Sequence, residues 1–140
     1  MEKKFKLTEE TINVYGITLY RIEAIISFGN VSAGDKGGYV QKEENVSQFG
    51  NAWVSGDARV FGDARVYGDA RVSGDAWVFG DARVFGDARV FGDASVFGDA
   101  WVSGDARVSG DAKVYGDARV YGNAWVSGDA RVSGDAKGIR

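Results

Sequence analysis

The stretch GDARVFGDARVYGDARVSGDAWVF, residues 56–79, decides the fold, because one six-residue pattern recurs in it four times without a gap. The pattern is Gly-Asp-Ala-Arg-Val followed by Phe, Tyr or Ser, with an occasional replacement of the arginine. Fifteen such units begin at every sixth residue from Gly50 to Gly134, and fourteen of them are complete. A period this short and this strict is typical of a solenoid, in which each unit packs on its neighbours.

A single unit already indicates a short strand followed by a corner. Ala58 and Val60 lie two residues apart, so in an extended chain both point to the same side, and Arg59 and Phe61 point to the other. The Gly-Asp pair that follows favours a tight corner, since glycine adopts positive φ freely and Asp or Asn tolerates it better than most residues. Alanine and valine are therefore predicted to face the core, and the Arg and aromatic positions to face outward.

Strands of about four residues joined by tight corners can wind only into a narrow coil. Three units would make a triangular coil of 18 residues, hydrogen-bonded in parallel to the next coil. With about 4.8 Å between neighbouring strands, five coils would form a prism on the order of 24 Å long. Each inward valine is expected to contribute roughly 1.5–3 kcal/mol through burial.

The unit closely resembles the hexapeptide repeat of left-handed β-helix proteins, which combines an aliphatic residue, a turn residue, Asn or Asp in a corner and a small inward residue. The resemblance, and not the period, implies the left hand, because most β-crossovers are right-handed. One departure is that this chain carries Phe, Tyr or Ser directly after valine, where many members have a small residue. The predicted fold class is all-β: a left-handed parallel β-helix of about five coils, with a small N-terminal β cap.

Residues 1–49 do not repeat, and we predict that they form a capping segment for the array of residues 50–140. Apolar alternation predicts short strands within residues 5–26, interrupted at Gly16, and a loop-rich stretch at residues 28–40. Val40 and Val46 are six residues apart, which indicates that the first rung starts there and is followed by a longer corner at residues 47–50.

The lead-in FGNVSAGDKGGYVQKEENVSQFGNAWV, residues 28–54, resembles that of a group of uncharacterised repeat proteins common in bacterial and prophage genomes. This resemblance implies a phage or prophage source as one origin for the chain.

Composition argues against an active site. The chain has no histidine and no cysteine, and its net charge is −3. Acyltransferases of the left-handed β-helix fold generally use a histidine base, and its carbonic anhydrases bind metal through three histidines, so neither site can be carried over. Thirteen of the 20 carboxylates occupy equivalent corners of the repeat, whereas a catalytic site needs a few unlike groups in special surroundings. We expect no catalytic residues, no cofactor and no metal site.

Residues 18 apart should stack on one face, which sorts the outward positions into columns. On the second face the residues after valine are aromatic on four successive rungs, from Phe61 to Tyr115, and form a ladder, and Trp77 belongs to the neighbouring column of the same face. Two interpretations stay open: cross-strand packing within one chain, or a lateral interface with a second chain. Side-by-side trimers among left-handed β-helix proteins favour the second. The candidate interface residues are Phe61, Phe79, Phe97, Tyr115 and Trp77.

The C-terminal end supplies a further candidate interface. Residues 137–140, Lys-Gly-Ile-Arg, are too short to cover the backbone groups of a last rung. We therefore predict end-to-end pairing of two chains, or docking of another protein, with Gly138 and Ile139 at the contact.

The sequence favours a non-enzymatic structural or protein-interaction module that associates with itself. The alternatives are an acyltransferase-like protein with an unrecognised site, or a viral protein that binds a host factor or a metabolite. The Asp columns argue against a nucleic-acid partner, and no apolar stretch reaches the roughly 20 residues of a membrane span. With no secretory signal in MEKKFKLTEE, we expect a cytoplasmic location, or the virion or host cytoplasm for a phage protein.

Overall fold

The chain folds as a parallel β-solenoid of about five turns in a computed structural model that describes residues 3–134. Three strands and a 3₁₀ turn precede fourteen two-residue strands, one from each complete unit. The elements are β1 (Phe5–Val14), β2 (Ile17–Ala24), β3 (Lys36–Val40), the 3₁₀ turn Glu43–Asn45, β4 (Trp53–Val54), β5 (Arg59–Val60), β6 (Arg65–Val66), β7 (Arg71–Val72), β8 (Trp77–Val78), β9 (Arg83–Val84), β10 (Arg89–Val90), β11 (Ser95–Val96), β12 (Trp101–Val102), β13 (Arg107–Val108), β14 (Lys113–Val114), β15 (Arg119–Val120), β16 (Trp125–Val126) and β17 (Arg131–Val132).

The strands stack into three sheets, one on each face of the solenoid. The first face carries β4, β7, β10, β13 and β16, and the third carries β6, β9, β12 and β15. The second is an eight-stranded sheet in the order β1-β2-β3-β5-β8-β11-β14-β17. Within the array each strand pairs in parallel with the strand 18 residues further on, as Val60 does with Val78. This register confirms the predicted three units per turn and the parallel all-β architecture.

The core is made of the valines of β4 to β17 and of the alanines from Ala52 to Ala124, as predicted from their two-residue spacing; Ala130, in the last complete unit, is exposed. Ala88 and Val90, in the middle of the array, are both fully buried, while Arg89 between them is exposed. The strands are shorter than the predicted four residues because the chain turns directly after valine. The alanine N–H closes this turn by donating to the carbonyl three residues earlier, as from Ala88 to Phe85 at 3.4 Å.

Glycine is favoured at every described corner of the array by a positive φ, and at the corners from Gly50 to Gly116 also by close contact with the next turn. The φ of Gly98 is +69°, which strains any side-chain-bearing residue. A Cβ on Gly98 would also lie 3.0 Å from the backbone nitrogen of Gly116 in the next turn. The corners therefore stack backbone on backbone, which leaves the Asp side chains beside them pointing into solvent.

The N-terminal residues extend the second sheet with an antiparallel hairpin. β1 and β2 pair through a turn at Tyr15 and Gly16, both with positive φ, as in the two-residue turns that connect twisted strands. β2 pairs with β3, and β3 joins the array in parallel through Tyr39 and Val40. The predicted short strands are thus confirmed and are longer than expected.

The prediction of a loop-rich stretch at residues 28–40 is wrong for its last five residues, which form β3. The two glycines that suggested a loop are buried inside the sheet. A Cβ on Gly37 would lie 2.5 Å from the Val54 carbonyl oxygen, and one on Gly38 would lie 2.6 Å from that of Ala58. Here glycine permits close approach of two backbones rather than a turn.

The first rung begins where the spacing of two valines predicted it. Val40 pairs with Val60, and Val46 forms a bridge to Val66, so both partners are 20 residues apart instead of 18. The two additional residues fall between Val46 and Val54, which confirms the longer corner.

Two buried polar side chains of the N-terminal segment, residues 3–49, bind backbone groups at the start of the array. The Asn45 amide donates to the carbonyls of Gly62 and Ala64 at 3.2 and 2.9 Å. The Lys4 ammonium donates to the carbonyls of Gly50 and Ala52 at 3.3 and 2.7 Å. Hydrogen bonds therefore cross the boundary at residue 50, and a separate capping unit of residues 1–49 stays a prediction.

Candidate interaction surfaces

The predicted aromatic ladder forms on the second face as a continuous stack of parallel rings. Ring centroids of Phe61 and Phe79 are 5.0 Å apart, those of Phe79 and Phe97 are 5.0 Å apart, and those of Phe97 and Tyr115 are 5.1 Å apart. The planes of successive rings differ by at most 4°. Face-to-face contacts of this kind add to the stability of a parallel sheet.

The hairpin covers the N-terminal half of this ladder. Val14 and Leu19 pack with Tyr39 and Phe61 in one buried cluster, against which Trp77 and Phe79 also pack. Phe61 is only 6% exposed.

The predicted interface therefore needs a correction at Phe61, which is unavailable to a second chain because its own hairpin buries it. Trp77 is also engaged within the chain, with its ring edge-on to Tyr15 at 6.2 Å. Phe97 and Tyr115 lie beyond the hairpin cluster and are half-buried. The ladder thus has one half that packs against the hairpin, Phe61 and Phe79, and one half outside that cluster, Phe97 and Tyr115, which we call the free half.

Three of the four tryptophans, Trp77, Trp101 and Trp125, form cation–π contacts with arginines of adjacent turns. Trp101 lies between two guanidinium groups, with Arg83 at 5.7 Å and Arg119 at 4.3 Å from its ring centroid. Arg107 lies 5.3 Å from the ring of Trp125 in the same way. Cation–π contacts of this kind contribute about 0.5–1 kcal/mol at exposed sites. Sequence reasoning missed them, although the signal was present in the Arg and Trp residues 18 apart.

The first face carries a groove of about 360 Å³ lined by arginine and serine. Arg71, Arg89 and Arg107 occupy three successive rungs of it. The other lining residues are Trp53, Ser55, Ser73 and Phe91.

A larger cleft, of about 1030 Å³, lies between residues 41–49 and the third face. Its charged lining is mixed, with Lys42, Arg65 and Arg83 facing Glu43 and Glu44. The apolar part of the lining consists of the side chains of Leu7, Tyr20, Phe49 and Tyr67.

Within residues 3–134, no arginine of the array forms an ion pair with an Asp at a corner. Across residues 3–134, the ion pairs shorter than 4.0 Å that involve a corner Asp are Lys42–Asp63 and Arg21–Asp57, both with partners in the N-terminal segment. The Lys42 ammonium donates to Asp63 at 2.8 Å and lowers the pKa of that carboxyl. Within the array, the corners direct Asp into solvent while Arg lies over the strands.

No group of three His, Cys, Asp or Glu side chains suited to a metal ion occurs among residues 3–134. In the same part of the chain no helix is both long and apolar enough to cross a membrane. Gly138 and Ile139, the candidates for an end-to-end contact, lie outside the described residues, and that interface stays a prediction.

Comparison with known proteins agrees with the architecture. The family model of the YdcK beta solenoid repeat matches the chain at two places, residues 64–80 and residues 112–128. Both segments consist of the six-residue units that form the turns. No curated protein matches the chain. The β-solenoid repeat is thus supported by the fold and by a family match, while the left hand rests on the resemblance of the unit alone.

Proposed function

We propose that this chain is a non-enzymatic interaction module that associates side by side with a second copy of itself. The observation that carries the proposal is the free half of the aromatic ladder, Phe97 and Tyr115. These two rings continue a stack whose first member, Phe61, is buried by apolar side chains of the same chain and whose second, Phe79, is partly buried against the same cluster. An aromatic column on an outer face is the kind of surface that supports association.

The hairpin shows what chemistry covers the ladder. Its buried side chains in the cluster with Phe61 are those of Val14 and Leu19, which are aliphatic. A second chain offers the same kind of surface at its own ladder, so two free halves can pack on each other with apolar groups on both sides. Residues 28–54 resemble the lead-in of repeat proteins common in bacterial and prophage genomes, which favours a structural role in a phage or prophage.

Replacing Phe97 and Tyr115 together by Ser tests this interface. We expect the wild-type protein to sediment as an oligomer and the double variant as a monomer, because two apolar rings are removed from the contact. Far-UV circular dichroism should be the same for both, since neither ring belongs to the inward core. The control is Tyr121→Ser, which removes an exposed aromatic ring from the equivalent unit position on the third face. A wild-type monomer at all concentrations, or unchanged sedimentation of the double variant, would contradict the proposal.

A further inference from the structure

The first face is the part of the array that carries arginine on three successive rungs. Arg71 pairs in register with Arg89, and Arg89 pairs with Arg107, so the three side chains leave the sheet along one line. On the second face the equivalent run is interrupted by Ser95, and on the third by Trp101.

The residues that follow the strands make this line of arginines a groove. Ser55 and Ser73 occupy the positions that hold large aromatic rings on the second face, and they leave room beside the guanidinium groups. Phe91 closes one side of the groove. Every polar side chain that lines it is an arginine or a serine, so each one can donate a hydrogen bond, and no carboxylate lines it.

The positive charges of the groove have no anionic partner within residues 3–134. None of the three arginines forms an ion pair shorter than 4.0 Å there. Guanidinium groups on neighbouring rungs, which are about 4.8 Å apart at the backbone, repel one another. An anion between them relieves that repulsion and meets donors on several sides.

We propose that this groove binds a small oligophosphate, meaning a compound with two or more phosphate groups in a chain. The planar guanidinium matches phosphate oxygens through two parallel hydrogen bonds, which makes arginine a suitable phosphate ligand. Three arginines in a line extend beyond the reach of one phosphate and suit a short chain of them. The exposed Asp corners on either side disfavour a long polyanion, which would have to cross them.

Isothermal titration with sodium tripolyphosphate and with inorganic phosphate tests the proposal on the full chain. We expect tripolyphosphate to bind at least about tenfold more tightly than phosphate, since it contacts more than one guanidinium. The Arg89→Gln variant removes the central charge and should lower the affinity for tripolyphosphate about tenfold.

The matched control is Arg83→Gln, because Arg83 is exposed and holds the same unit position on the third face. It should change the affinity for tripolyphosphate less than about twofold. Equal losses in the two variants, or equal affinities for phosphate and tripolyphosphate, would overturn the proposal by showing diffuse attraction. Binding of a single-stranded oligonucleotide without binding of tripolyphosphate would overturn it in favour of nucleic acid. Arg89→Gln should leave sedimentation unchanged, which separates this test from that of the aromatic ladder.

Discussion

Residues 3–49 are joined to the array by individual side chains in addition to the backbone pairing of β3, whereas successive turns of the array are joined by a backbone ladder that repeats from turn to turn. All five ion pairs found in residues 3–134 include a residue of the N-terminal segment. Its buried Asn45 and Lys4 each bind two carbonyls of the array. The array instead buries one alanine and one valine in each unit up to Val126 and leaves its charged side chains outside.

This difference indicates where each region tolerates substitution. In the array, the most sensitive positions are the smallest ones, the glycines of the corners that stack on a following turn and the inward alanines. In the N-terminal segment the sensitive positions are polar residues whose hydrogen bonds have no equivalent elsewhere. Three experiments test this contrast.

The largest effect is expected from Gly98→Ala in the middle of the array. Alanine would be strained at the positive φ of this position, and its Cβ would lie 3.0 Å from the Gly116 nitrogen. The free energy of unfolding should therefore fall by about 3 kcal/mol. Gly128→Ala has a similar φ of +60° but meets no atom within 4 Å among the described residues, and should cost about 1 kcal/mol. Urea unfolding followed by circular dichroism measures both. Equal losses would show that close stacking of the corners does not matter.

A smaller effect is expected from Asn45→Ala in the N-terminal segment. The Asn45 side chain accepts hydrogen bonds from the N–H groups of Gln41 and Lys42 and donates to two carbonyls. Its loss leaves buried backbone groups without partners, and we expect about 2 kcal/mol less stability in the same urea assay. Asn123→Ala, at an exposed corner of the array, is the matched control and should change stability by less than about 0.5 kcal/mol. A comparable loss for both variants would mean that the two regions do not differ in this respect.

The smallest effect at neutral pH is expected from Lys4→Met, because the loss of the two hydrogen bonds to Gly50 and Ala52 is offset by removal of a buried charge and its replacement by an apolar chain of similar size. Burial lowers the pKa of Lys4 from 10.5 to about 8, and Asp69 opposes this shift. Between pH 8 and 10.5 the unfolded chain holds more protons at this residue than the folded chain, so the contribution of Lys4 to stability rises with pH. The free energy of unfolding of the wild type, relative to the variant, should therefore increase over that window. A constant difference across it would show that Lys4 is solvated.

The array was predictable from the sequence because the residues of each unit determine both its strand and its corner. The alternation of Ala58 and Val60 predicted the inward face, Gly and Asp predicted the corner, and the period predicted the register. The length of the longer corner also followed, since Val40 and Val46 already stood in phase. Because the units have nearly the same sequence, a correct prediction of the strand and corner of one unit applies to the others.

The N-terminal segment and the surface were less predictable, because there the outcome depends on contacts between residues distant in sequence. Gly37 and Gly38 suggested a loop, and only the approach of Val54 and Ala58 shows why a strand needs them. The burial of Phe61 depends on a hairpin that no local pattern places over it. Likewise, the groove of the first face results from serines and arginines on different turns, which stand together only after the register is known.

The 18-residue turn has a consequence for how such a chain can change its length. Deleting three consecutive units shortens the solenoid by one turn and leaves every column below the cut on its original face. Deleting a single unit moves all later units to a neighbouring face. A deletion between Phe79 and Phe97 would therefore interrupt the aromatic ladder, and a deletion between Arg71 and Arg89 would place these two arginines on different faces. Surface patterns that run along one face can therefore be inherited intact only when the gene gains or loses whole turns.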